Sequence, residues 1–302
     1  MPISGGSGIG PASMTVAAEP GLDGMRRGSV FELSSGSSFA RRNLLARDDL
    51  AGGLQRLRLA CVLGWLDIRL RYRGSLLGPF WLTLSTAIMV TSLGWLYAAL
   101  FKMDIREYLP FIAISLVLWN SFFAQVIADA CLCFTQAEAM IRSMRMPYTI
   151  HAVRTVIRNL LVLAHNVVVV IVVFLIFGVW PGWHALAVLP GFALWIVDGI
   201  AACLLLGAVC ARFRDIAPIV GSVMQIAFFL TPIIWKPELV GRNVVWLPLN
   251  PFFSLLEIVR QPLLGNLPSM VIGLSALGYS LLLCALAWLA FMHARARIAF
   301  WV

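Results

Sequence analysis

Along this chain, long stretches without a charged side chain alternate with short basic segments. The charge-free stretches are Phe80–Phe101, Tyr108–Ala128, 159–197, Ile216–Trp235 and Pro268–Met292. A bilayer core about 30 Å thick needs roughly 20 apolar helical residues. Each stretch is long enough to cross once, and the longest is long enough to cross twice. The cluster Gly178-Val179-Trp180-Pro181-Gly182-Trp183 divides the longest, because Pro and Gly interrupt helices and Trp favours the headgroup layer. Its second half runs on past Asp198 to Cys210. The pattern predicts six helices, at about 80–101, 108–128, 157–179, 185–210, 216–235 and 268–292. Backbone groups in lipid must bond internally, and the alternation of outer-membrane strands is missing. The predicted fold class is an all-α polytopic membrane protein.

Three segments depart from this simple pattern. Leu66–Arg73 alternates apolar and polar residues, formally a strand signal, yet a lone strand at a membrane surface has no pairing partner. An amphipathic interface helix over about 54–73 is preferred. The segment Thr135–Pro147 has Thr135 three residues before Glu138, the spacing of a capping box, and Pro147 is expected to end the short helix that follows. Met140, Ile141, Met144 and Met146 offer an adaptable docking surface, and a solvated turn is the equal alternative. Residues 236–267 are apolar but broken by Pro248 and Pro251, which predicts a re-entrant helical hairpin between helices 5 and 6. Within it Glu257 and Arg260 stand at i,i+3 and can pair, for structure or for function.

Composition agrees with the pattern: 61% of the 302 residues are hydrophobic and 12% charged. That balance excludes a disordered chain, a disulfide scaffold and an ordinary soluble enzyme. The six helices sort the basic residues, with 18 Lys and Arg on the side of the N-terminus and five on the other. The positive-inside rule then puts both termini in the cytoplasm. The net charge of +9 faces anionic lipid, so no nucleic-acid partner is expected. Residues 1–50 are read as a flexible cytosolic tail and 51–302 as the membrane domain; a start at Met14 or Met25 is the alternative for the tail. The six cysteines lack metal or redox spacing and are expected to act as small buried hydrophobes.

No nucleotide-binding, hydrolase or metal motif is present, so no catalytic residue, metal or cofactor is expected on this chain. Transport would need energy from another subunit. Asp198 is the intramembrane charge, costly at that depth unless it faces protein or water. Asn120, Gln125, His165, Asn166 and Gln225 suggest an internal polar path or helix–helix contacts. Trp95, Tyr97, Trp119, Phe122 and Phe123, placed in the outer halves of the first two helices, fit an interfacial belt or rings on which sugars stack. Arg69, Arg71 and Arg73 stand at headgroup depth, suited either to phosphate recognition or to positive-inside anchoring.

The segments RYRGSLLGPFW (71–81), RFRDIAPIVGSVMQIAFFLTPIIW (212–235) and NPFFSLLEIVRQPLLG (250–265) resemble the ABC-2 type permeases, in particular those that export O-antigen, capsule or teichoic-acid polysaccharides. The resemblance covers about 54–302. It implies a homodimer of permeases joined to two ATP-binding cassette subunits, which hold the ATP and Mg. It implies a coupling helix within Thr135–Pro147, with Glu138, Met140, Ile141, Arg142, Met144 and Arg145 as candidates for docking. It further implies a hairpin capping the outer mouth, with Trp246, Phe252, Phe253, Glu257 and Arg260, and a lipid-linked polysaccharide as cargo. On that reading Arg69, Arg71 and Arg73 are candidates for the lipid pyrophosphate. An exporter of drugs or small lipids is the alternative, and a membrane-embedded glycosyl or acyl transferase, with Asp67, Glu138 or Asp215 as isolated candidate groups, is a distant third.

Overall fold

A computed structural model describes residues 39–71, 73 and 80–302. The described residues form helices joined by short turns, with no strand among them. In chain order the helices are α1 (Phe39–Gln55), α2 (Leu57–Arg71), α3 (Phe80–Phe101), α4 (Ile105–Leu118), α5 (Ala124–Cys131), α6 (Glu138–Ser143), α7 (Tyr148–Phe177), α8 (Val188–Arg212), α9 (Ile216–Leu230), α10 (Pro251–Leu263), α11 (Met270–Ala294) and α12 (Ile298–Trp301). A π-turn, Trp119–Phe123, joins α4 to α5, and 3-10 turns span Gly182–Ala187 and Pro237–Leu249.

Five helical stretches are long and apolar enough to cross a membrane: Phe80–Phe101, Ile105–Cys131, Tyr148–Phe177, Gly182–Arg212 and Met270–Ala294. The predicted helix 216–235 differs, because α9 stops at Leu230. Thr231 precedes a proline, which pushes it into extended backbone at φ −86°, ψ 137°. Fifteen residues give about 22 Å of helix, short of the bilayer core.

Helix ends follow local chemistry. At the end of α3 the Met103 and Lys102 amides donate back to the Ala98 and Ala99 carbonyls, a Schellman closure that puts Lys102 at φ 53°. Gly178 does the same for α7 at φ 68°, with the Val179 amide on the Phe174 carbonyl. This is how the predicted Gly-Trp-Pro break is realised.

The other end of α7 corrects the sequence reading. The helix starts at Tyr148 rather than 157, because its first turns carry Arg154 and Arg158, which are paired with carboxylates rather than solvated. At 30 residues, about 45 Å long, α7 exceeds the thickness of the hydrocarbon layer.

The interface-helix expectation is met as a helix, not a strand, but with other limits. The segment is helical from Leu57 to Arg71, Arg56 forms a turn, and α1 precedes it. The boundary drawn at residue 50 therefore falls inside α1, and the tail reading for 1–38 lies outside the described residues. Ala60, Gly64 and Ile68 recur every four residues and seat α2 on α7. The fit leaves no room: a Cβ on Gly64 would lie 3.2 Å from the Arg154 carbonyl oxygen, and one on Gly53 only 2.6 Å from Thr149 Cβ.

The second crossing, α4 through α5, is the central one. Tyr108 to Leu118 are buried without a break, so beyond its first turn this helix shows no polar face. It packs between α3 and α7, while α8 packs on α5 and α11, and α10 on α8 and α11.

Candidate functional site

A cleft of about 620 Å³ runs between the second crossing and α9. Its lining is mostly apolar, including Trp119, Ala124, Val220, Met224 and Phe228, with Asn120 and Gln225 supplying amide groups. Of the five polar residues read as an internal path, only these two reach the cleft. The Asn166 amide donates to Ser121 Oγ (2.8 Å), Gln125 donates to Asp129 Oδ1 (3.1 Å), and His165 Nδ1 lies 2.7 Å from the Leu161 carbonyl. Only the Asn166 bond joins two elements, while the other two are i,i+4 bonds within α5 and within α7.

Towards the α6 end of the bundle, an ionic network links four elements. On α2, Asp67 accepts from Arg154 Nε at 2.7 Å and from Arg154 Nη2, and lies 3.6 Å from Arg158 Nη1. Arg158 Nη2 lies 2.8 Å from Asp129 Oδ2 on α5, which also accepts from the Asn159 amide at 2.9 Å. Arg154 Nη1 reaches Met140 Sδ on α6 at 3.9 Å. Close by, Asp49 of α1 accepts from the Tyr148 and Thr149 amides and the Thr149 hydroxyl, so a carboxylate from another helix caps α7. Arg295, just past α11, donates to the same carboxylate at 3.0 Å.

On α6, Glu138 and Arg142 are exposed and paired at 2.9 Å, with Met140 and Ile141 half-buried, and Met144 and Arg145, just past its end, are exposed. The predicted capping box does not form. Thr135 Oγ1 turns back to the Leu132 carbonyl, Ala137 takes the N-cap position, and Pro147 caps the start of α7 rather than ending α6. The tight turns over 132–137 direct Thr135 away from the helix it was expected to cap.

At the other end, Glu257 and Arg260 of α10 are 2% and 1% exposed. Arg260 donates to Glu257 through Nε and Nη2, and to Ser115 Oγ (2.8 Å) and the Pro232 carbonyl (2.5 Å) through Nη1. Its guanidinium also lies 4.5 Å from the centre of the Phe111 ring. The Tyr108 hydroxyl donates to the Ile234 carbonyl, and the Asn250 amide to Thr231 Oγ1 at 3.0 Å. The irregular backbone after α9 thus finds its partners inside the protein. Phe253 is buried, Phe252 half-buried, and Trp246 exposed on the 3-10 turn.

The five aromatic candidates divide. Trp95 is exposed and Tyr97 stacks on Phe101 at 5.7 Å. Trp119, Phe122 and Phe123 correct the expectation, for they stand at the middle of the crossing Ile105–Cys131 and not in its outer half. Their rings pack with Trp195 and Phe252 at 4.5–5.4 Å, a cluster that the π-turn aims inward. Trp195 carried no distinguishing signal in the sequence. Arg69, Arg71 and Arg73 are all exposed beside α2's apolar side chains. Asp198 lies near the middle of its crossing, bonded to Ser280 Oγ at 2.7 Å.

Residues 58–264 match the ABC-2 type transporter family. Among curated relatives, an O-antigen export system permease protein RfbA from Myxococcus xanthus is 23% identical over 193 residues, 63% of this chain and 74% of that one. A protein of the same name from Klebsiella pneumoniae is 19% identical over 192 residues, again 63% of this chain and 74% of its own.

Proposed function

The chain belongs to the ABC-2 type transporter family, the membrane subunits of transporters, and from that premise we propose that it is the permease of an exporter carrying lipid-linked polysaccharide, of O-antigen, capsule or teichoic-acid type, across the inner membrane. The match to O-antigen export permeases over three quarters of their length is the observation that carries the cargo. Two copies work with two ATP-hydrolysing subunits, which hold the ATP and Mg. Each copy crosses six times with both termini in the cytoplasm: α9 and the extended backbone to Trp235 complete the sixth crossing. The burial of Thr231 and Ile233 supports this, since irregular backbone at membrane depth needs protein around it.

In this reading the cleft beside α9 is half of the translocation path, and the second copy closes it. The exposed α6 is the coupling helix. Its displacement reaches the bundle through Met140, Arg154 and Asp67, and so moves α2 and α7 together. The hairpin of the 3-10 turn 237–249 and α10 re-enters from the outside and caps the mouth. Arg69, Arg71 and Arg73 meet the lipid pyrophosphate, because guanidinium binds phosphate oxygens in bidentate fashion. The membrane domain begins with α1, at Phe39 rather than at residue 51.

Deleting the gene tests the reading: lipid-linked polymer should accumulate on the cytoplasmic side, and polymer still reaching the surface would refute it. Replacing Arg69, Arg71 and Arg73 together with Gln should reduce export while membrane insertion, measured by fractionation, is retained.

A further inference from the structure

On the other face of the second crossing from the cleft lies a second cavity, of about 300 Å³. Phe122, Trp195, Phe252, Leu283 and Leu286 line it, and almost all of its wall is hydrocarbon. Leu282 and Leu286, both exposed, form a rim on α11, so the cavity opens on the apolar surface of that helix. Its volume stands at the lower end of the range for small-molecule sites.

One group in this wall is chemically out of place. Asp198 is 8% exposed, and its Oδ2 accepts from Ser280. Its Oδ1 is buried and bonds to nothing among the described residues, and no Lys or Arg among them pairs with the carboxylate. The other polar groups nearby are already used. The Trp195 indole donates to the Leu255 carbonyl at 2.8 Å and the Tyr279 hydroxyl to the Leu249 carbonyl at 2.7 Å. A buried carboxylate with one oxygen unpartnered, in the wall of an apolar cavity open to hydrocarbon, calls for a ligand that brings both an alkyl body and a cationic N–H donor.

We propose that the cavity between α5, α8, α10 and α11 is a binding site for a lipophilic amine entering from the membrane, with its ammonium N–H donated to Asp198 Oδ1 and its alkyl chain packed on Trp195, Phe252 and Leu283. The charge gives the preference for an amine over an alcohol, and the hydrocarbon wall selects against hydrophilic cations. The site uses neither the cleft beside α9 nor α6, so it stands or falls separately from the polysaccharide reading.

The test is photolabelling of the full chain in phosphatidylcholine nanodiscs with a decylamine carrying a diazirine, with the matching decanol as control. The amine should label peptides of α8 and α11 around Trp195 and Leu283, and the decanol should label them far less. Asp198→Asn, which keeps the shape, should lower amine labelling there about tenfold, the usual weight of a charged hydrogen bond. Leu283→Trp fills the cavity while leaving Asp198 in place, and should abolish labelling. Gel filtration checks that each variant is folded. If Asp198→Asn does not fold, the Leu283→Trp arm decides, and labelling retained there refutes the site. Equal labelling of wild type and Asp198→Asn, equal labelling by decanol, or label spread evenly over the apolar helices would also refute it.

Discussion

Two buried ionic clusters occupy opposite ends of this bundle, and they are built differently. Around Arg260 the guanidinium is fully committed: to Glu257, to Ser115, to the Pro232 carbonyl and to the face of Phe111. Its side chain is 1% exposed and Glu257's 3%. Around Asp67, two arginines share two carboxylates, Arg158 Nε bonds to nothing among the described residues, and Arg154 is 21% exposed. The first cluster fixes one arrangement, since removing any partner leaves a buried group unsatisfied. The second has a spare donor and some access to water, so its bonds can be exchanged. The rigid cluster braces irregular backbone, while the exchangeable one joins α2, α5, α6 and α7.

The contrast is sharpest in the response to mutation. Arg260→Met should be the most damaging change, costing about 3–5 kcal/mol because Glu257 is left buried without its partner. Denaturant titration in detergent measures this, and adding Glu257→Gln should recover part of the loss. Asp67→Asn should cost less, about 1–3 kcal/mol, yet should impair export more than stability, with ATP hydrolysis by the partner subunits continuing. An equal fall in both would remove the distinction drawn between the clusters. Asp49→Ala takes away the cap on α7 and should cost about 1–2 kcal/mol, read as faster amide exchange at Tyr148 and Thr149. Smallest of all, Lys102→Gly relieves a left-handed residue and should raise stability by up to about 1 kcal/mol, seen as a slightly higher melting temperature.

Much of this molecule is written in its hydrophobic pattern. Phe80–Phe101 was legible to the residue, and the break after Phe177 was legible from Gly178 and Pro181, because a charge-free run and a helix breaker act locally. What escaped was set by partners distant in sequence. Arg154 looks like a loop residue until Asp67 is brought beside it, so α7 seemed to begin nine residues late. Asp49 is an ordinary surface acid in the sequence, and only the fold turns it into the cap of a helix 99 residues away. The Glu257–Arg260 pair was legible from its spacing, whereas Ser115, Pro232 and Phe111 around it were not. The inward aromatic cluster was misplaced because nothing in Trp119–Phe123 announces a π-turn.

That turn has a mechanical meaning. A π-turn holds one residue more than an α-turn, and each residue of an α-helix advances the chain by roughly 100° about its axis. Relaxing Trp119–Phe123 into regular α-helix would swivel the whole of α5 by about that angle, carrying Asp129 off Asn159 and Arg158 while α4 stayed seated. The crease in mid-membrane is thus a ready-made swivel, joining a half-helix gripped on every side to one whose charges can change hands.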